Sequence, residues 1–278
     1  MKRDMTRLIL CLLLSGVTLN ADGSQWEKKG FHLPTATIKR QYDTSEKVVG
    51  LTVGLKVLAV SKYSGSDDSE ILLLPTIEAY FALSDRTVLF LDDASLGFNH
   101  ALSSVISIGV VGSYRSGRNS ADSDALVGMQ DIDDAFEVGG YLSYSLNQYT
   151  TIDAVGLFDM SDTYDGWVSD FSITMVYPIT STDVIVGFTA GVSYGSQEYN
   201  STYYGVTTTE SRSNRTVYRV KSGLNSTNGG IFVSYCLSDR VILNGAVYLT
   251  ELLDDIGDSP IVLENTELIP LVEINYSF

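Results

Sequence analysis

The residues that could do chemistry are few. His32 and His100 are the two histidines of the chain. Beside a hydroxyl, and oriented by a carboxylate or amide, a histidine could support lipid hydrolysis or acyl transfer. His100 shares the parity of Leu96 and Phe98 next to an expected turn, and His32 falls where the sequence has no regular period, so no catalytic set is assigned and no enzymatic activity is expected. Three acidic clusters, Asp67-Asp68-Glu70, Asp131-Asp133-Asp134 and Asp254-Asp255-Asp258, hold oxygen ligands of the kind Ca²⁺ or Mg²⁺ prefers. Their spacing matches no metal-binding loop, so they read as solvated loop charge, and neither a metal site nor a cofactor is expected. Six further charges, Lys56, Glu78, Arg115, Glu137, Asp170 and Glu273, stand among small polar residues in segments that otherwise alternate. What they do depends on the elements that carry them.

Those elements have period two. Val49, Leu51, Val53, Leu55 and Val57 alternate with Gly50, Thr52, Gly54 and Lys56; Phe136, Val138, Gly140, Leu142 and Tyr144 alternate with Glu137, Gly139, Tyr141, Ser143 and Ser145. Such alternation is a strand signature, because successive side chains point to opposite faces. A soluble sandwich also alternates, but it turns its large apolar residues inward and a Lys- and Glu-rich face outward. Here the second face is built of Gly, Ser and Thr with an occasional charge, and many of the 17 tyrosines fall near segment ends. That combination predicts an all-β, transmembrane, antiparallel up-and-down β-barrel with a narrow polar lumen and aromatic girdles. The six charges then point into the lumen, where they form ion pairs or line a conduction path. Residues 271–278, "LVEINYSF", read as a closing strand with Tyr276 and Phe278 on the lipid side. A terminal aromatic there resembles the signal read by the outer-membrane assembly machinery.

The start of the chain reads as a secretory signal over residues 1–21: Lys2, Arg3 and Arg7 precede an apolar run too short to span a bilayer as a helix. Residues 22–46 show neither period and are expected to be a periplasmic or lumenal segment, leaving residues 47–278 for the barrel. The chain has 34 Asp and Glu against 18 Lys and Arg, which excludes a nucleic-acid partner because phosphate binding needs clustered bases. Tight connections such as "LSDR" and "LNQY" alternate with long polar ones, so short periplasmic turns and long extracellular loops sort to opposite ends, with both termini periplasmic. Eleven strands are obvious and parity demands an even number. A reversal hidden at "DDAS", residues 92–95, makes the total about 12; the alternative is 10, with residues 87–102 folded inward.

Several segments together resemble the MipA/OmpV family of Gram-negative outer-membrane proteins. They are "YSGSDD" with Tyr63, Gly65 and Ser66; "YRSGR" with Gly117 and Arg118; "EYNSTYYGVT" with Tyr203, Tyr204, Gly205 and Val206; and the later "VYRVKSGL" and "YCLSDRVILNGAVYLTELLDDIGDSPIV". The resemblance implies a non-enzymatic barrel with a structural or scaffolding role, organising a murein hydrolase and a murein synthase. It leaves a small-solute channel as the alternative and a surface antigen or adhesin as a further one. Its expected surroundings are outer-membrane lipid and lipopolysaccharide, to which acidic loops could be bridged by divalent cations.

Overall fold

A computed structural model describes residues 49–179 and 182–278. The expected signal at 1–21 and the segment at 22–46, including His32, lie outside the described residues. Twelve strands run β1 (Val49–Ser61), β2 (Ser69–Ser84), β3 (Thr87–Asp92), β4 (Ser95–Ala101), β5 (Ile106–Arg115), β6 (Ala135–Asn147), β7 (Thr150–Asp159), β8 (Trp167–Pro178), β9 (Val184–Gly195), β10 (Gly223–Cys236), β11 (Val241–Leu252) and β12 (Thr266–Ser277). Each pairs antiparallel with its sequence neighbours, and β1 pairs β12 to close the barrel. Closure satisfies the edges that a bilayer could not solvate.

Period two decides which side is which. On β1, Leu51, Val53, Leu55 and Val57 are exposed on the outside, while Thr52, Lys56, Leu58 and Val60 are buried inside. The outward stripe continues around the wall through Leu73, Val110, Phe136, Leu142, Phe171, Ile231, Leu249 and Val272. An exposed apolar belt on this scale would precipitate a soluble protein; in lipid it is the solvated surface. No helix among the described residues is long and apolar enough to cross a membrane, so any crossing is made by strands.

The closing strand lies in register with the first, Val53 opposite Tyr276 and Lys56 opposite Glu273. Tyr276 and Phe278 meet edge to face with ring centroids 5.0 Å apart, and the Phe278 N–H donates to the Leu51 carbonyl at 3.0 Å. The hidden reversal falls at Asp93-Ala94, giving twelve strands rather than ten. Its hairpin is short: β3 has 6 residues and β4 has 7, against 16 in β2. Asp93 turns the chain at φ 43°, a left-handed conformation that a short polar side chain tolerates better than most.

Turns of two to five residues join the strands at one end; connections of seven to twenty-seven residues, apart from the Asp93 turn, join them at the other. The long connections carry two α-helices, α1 (Gln197–Tyr204) and the short α2 (Asp254–Gly257). Ser196 caps α1 by accepting the Tyr199 N–H at 3.2 Å, and Gly205 ends it by donating to the Ser201 carbonyl at 2.9 Å.

Candidate functional site in the lumen and its loop lid

The long loops fold as a lid over one mouth of the barrel. Helix α1 buries Tyr199, Tyr203 and Tyr204, spaced so that they share one side of the helix. They join Tyr164 of the β7–β8 loop, Val220, and Ile256 of α2 in one apolar cluster with the inward wall residues Phe90, Val111, Tyr141, Val155 and Val168. Lid and lumen therefore share a core. A second cluster lies wholly in the loops: Tyr63, Leu126, Met129, Val206 and Ile261.

An ion pair ties the lid to the wall. Arg115 and Glu137 are diagonal neighbours on β5 and β6, both fully buried and hydrogen-bonded through two guanidinium nitrogens, the Nη2–Oε2 contact measuring 3.3 Å. Arg115 Nη1 also donates to the Tyr199 hydroxyl at 3.0 Å, and its guanidinium carbon stands 5.1 Å from the centre of that ring. Glu137 accepts the Tyr164 hydroxyl at 2.7 Å. Desolvation raises the Tyr164 phenol well above its ordinary pKa, and the nearby Glu137 charge raises it further, so it stays a donor. Burying two charges is costly, and a bidentate pair whose remaining valences reach two tyrosines is the arrangement that offsets the cost.

The loops also fasten to one another. Tyr63 donates to the Ile261 carbonyl at 2.8 Å, Tyr204 to Ser64 Oγ at 3.1 Å, Ser259 to the Tyr204 carbonyl at 2.6 Å, and Arg118 to the Tyr203 carbonyl at 2.6 Å. Gly65, at φ 88°, gives its N–H to Glu267 and receives the Leu263 N–H; a Cβ there would strike Val262. Arg215 reaches the carbonyls of Ala125, Val127 and Glu210. Burial pushes the Glu210 carboxyl up, but the N–H groups of Gln130 and Thr207 and the Thr207 hydroxyl outweigh it, leaving Glu210 below the usual carboxylate range.

The nine positions that carried the family resemblance, Tyr63, Gly65, Ser66, Gly117, Arg118, Tyr203, Tyr204, Gly205 and Val206, come from three separate loops and meet in this lid. Ser66 Oγ accepts the Asp68 N–H, and Gly117 donates to Asp134. Tyr164, Glu210, Arg215 and Glu267 were not singled out from the sequence, because each finds a partner far along the chain: Glu137 on β6 for Tyr164, Gln130 for Glu210, Ala125 and Val127 for Arg215, and Gly65 for Glu267. The six lumen-parity charges all face inward, Glu78 half-buried and the others buried. Besides the Arg115 pair, Lys56 meets Asp93 at 3.1 Å and Glu273 accepts Asn244 at 3.2 Å, whereas Asp170 stands elsewhere on the wall, opposite Ser193.

Members of two acidic clusters hold their own loops: Asp68 accepts Lys62 Nζ at 3.1 Å. Asp131 accepts the Ser120 N–H at 2.7 Å, and Asp134 accepts from Tyr114 and from Gly117. Among the described residues, no group of three His, Cys, Asp or Glu side chains is placed to hold a metal ion. His100 Nδ1 is hydrogen-bonded to Thr87 Oγ1 at 2.9 Å and the ring stacks on Phe98.

Residues 53–278 match the model of the family described as MltA-interacting protein MipA. "Putative outer membrane protein YiaT" of Escherichia coli O157:H7 is 25% identical over 168 residues, 57% of this chain and 64% of that one. The protein of the same name from Escherichia coli strain K12 is 24% identical over 160 residues, 54% of this chain and 61% of that one. The chain thus spans less than two thirds of the length of these curated relatives. Among solved structures, the translocator domain of autotransporter NalP from Neisseria meningitidis aligns with a TM-score of 0.48 at 8% identity, covering 87% of this chain and 92% of that one. The KdgM porin aligns with a TM-score of 0.40 at 10% identity, covering 82% and 99%.

Proposed function

The chain belongs to the MipA family and is an outer-membrane β-barrel, and from that premise we propose that it is a structural, non-enzymatic barrel whose short-turn end faces the periplasm and docks murein-processing proteins. The observation that carries the structural reading is the latched lid: a mouth held by Arg115, Glu137, Tyr164 and Tyr199 suits a wall that supports partners better than one that passes solute. The partner class comes from the family's description as interacting with MltA. On the proposed docking face, the sequence Leu-Ser-Asp-Arg occurs twice, at 83–86 and 237–240. In each copy the serine hydroxyl accepts the arginine N–H at 3.3 Å, and Asp and Arg are exposed. The same tetrapeptide repeated on one rim, in a two-residue and in a four-residue turn, offers a partner the same charge pattern at two points.

The experiment is photo-crosslinking from Asp85 and Asp239 in intact envelopes, with Tyr114 at the opposite end of its strand as control. Recovery of a murein hydrolase or synthase from the turn positions alone is expected; recovery of neither would sink the docking role. A second reading, a small-solute channel, is favoured by the six lumenal charges and makes the lid a gate.

A further inference from the structure

The short β3–β4 hairpin leaves a gap in the wall, and we propose that this gap is a lateral lipid-binding slot admitting an acyl chain from the leaflet on the long-loop side. β2 pairs with β1 from Ser61 opposite Ser69 to Val49 opposite Phe81. On its other edge, pairing with β3 stops at Glu78 opposite Asp92, and Asp93 caps the ladder by exchanging hydrogen bonds with both backbone groups of Ile77, each at 2.9 Å. Hydrogen-bonding direction alternates along an antiparallel strand. Since Ile77 turns toward the hairpin, Leu73 and Ile71 turn their N–H and C=O groups the same way, beyond the hairpin's tip. No strand among the described residues pairs with that edge. Between Leu73 and Ile77 sits Pro75, which has no N–H to leave unsatisfied.

The slot opens onto lipid. Ile71 and Leu73 are 78% and 66% exposed, more than Leu51, Val53, Leu55 or Val57 of β1, and they continue the stripe that runs on through Ile77, Phe81 and Leu83. Its inner side is apolar too. Leu72 and Leu74 point inward, stay half-buried, and pack against a lumenal cluster of Leu58, Val60, Phe232, Tyr248, Ile269 and Leu271. The Lys56–Asp93 pair forms the floor and fixes how high the hairpin reaches.

An acyl chain with its polar linkage matches both features. The chain extends the belt inward over Leu72 and Leu74, while ester, amide or hydroxyl groups at its head can meet the edge N–H and C=O groups that hydrocarbon alone would leave unpaired. A second copy of this barrel, inserted in the same sense, could not lay its own β2 antiparallel on this edge. A strand from another protein would lose ladder continuity at Pro75.

The test is fluorescence quenching of the full-length barrel in bilayers of phospholipids brominated on the acyl chain. In a background lacking Trp26 and Trp167, single tryptophans are placed by Leu73→Trp on the outside, Leu74→Trp inside the slot, and Phe232→Trp in the same lumenal cluster but behind fully paired wall. Leu72→Trp replaces Leu74→Trp if that variant loses the heat-modifiable gel shift of a folded barrel. The expected result is a loss of fluorescence at position 74 close to that at position 73, with position 232 unquenched. Equal quenching at 74 and 232, high or low, overturns the slot, and capture of protein at position 74 by a photo-crosslinker in place of lipid overturns the assignment of its occupant.

Discussion

Two inward ion pairs fasten the two irregular parts of this barrel, and their surroundings differ. Arg115 and Glu137 are wholly covered, and both reach tyrosines of the lid. Lys56 is nearly as covered, but its partner Asp93 keeps 12% of its side chain exposed and bonds wall elements, Lys56 and Ile77. The first pair joins loops to wall; the second stops one hairpin against its neighbour. The same chemical contact therefore closes an end in one place and defines an opening in the other. A third pair, Lys62–Asp68, lies in the open on the β1–β2 loop, with 36% and 59% exposure, and has neither task.

Removing one partner at each site should rank them. Arg115→Met leaves Glu137 charged, buried and short of its main donor, so the loss should be about 3–5 kcal/mol, read from urea unfolding of the barrel in lipid. Adding Glu137→Met should recover much of it, because the pair's net worth is smaller than the cost of orphaning one charge. A small loss in the single variant would break the view of this pair as the lid's anchor. Lys56→Met should cost less, about 2 kcal/mol, since Asp93 keeps Ile77 and some contact with solvent. Its signature should be faster hydrogen exchange confined to β3 and β4. Exchange spreading into α1 would erase the distinction between the two pairs. Lys62→Ala should change stability by less than about 0.5 kcal/mol.

The lid should also respond to acid, and the sign follows from Glu210. Its carboxyl lies below the ordinary range in the folded loop, so its contribution is fully present above the unfolded value of about 4 and is lost as pH falls through the lower, folded one. Hydrogen exchange at Gln130 and Thr207 should rise in that window. Glu210→Gln should show raised exchange already at neutral pH and a flat profile below it; an unchanged acid response in that variant would move the effect to another group.

The wall was legible because lipid outside and polar lumen inside impose a period that survives one residue at a time: Val53 and Lys56 can be placed without knowing their neighbours. Even the hidden hairpin followed from parity, since connections on one end require an even number of crossings. The lid obeys no period. Tyr63, Arg118 and Tyr204 stood out only through the resemblance, and nothing local says that Tyr204 finds Ser64 or that Glu210 receives Gln130. The slot was illegible for a different reason. Placing the reversal at 92–95 predicts two short strands, but the gap appears only when their register against β2 is known.

A lid that closes the mouth would leave a structural barrel and no path for solute. Planar-bilayer recording from the full-length, unmodified protein tests it most directly. No step conductance above background is expected at neutral pH, and reproducible single-channel steps from the unmodified barrel would contradict a closed mouth.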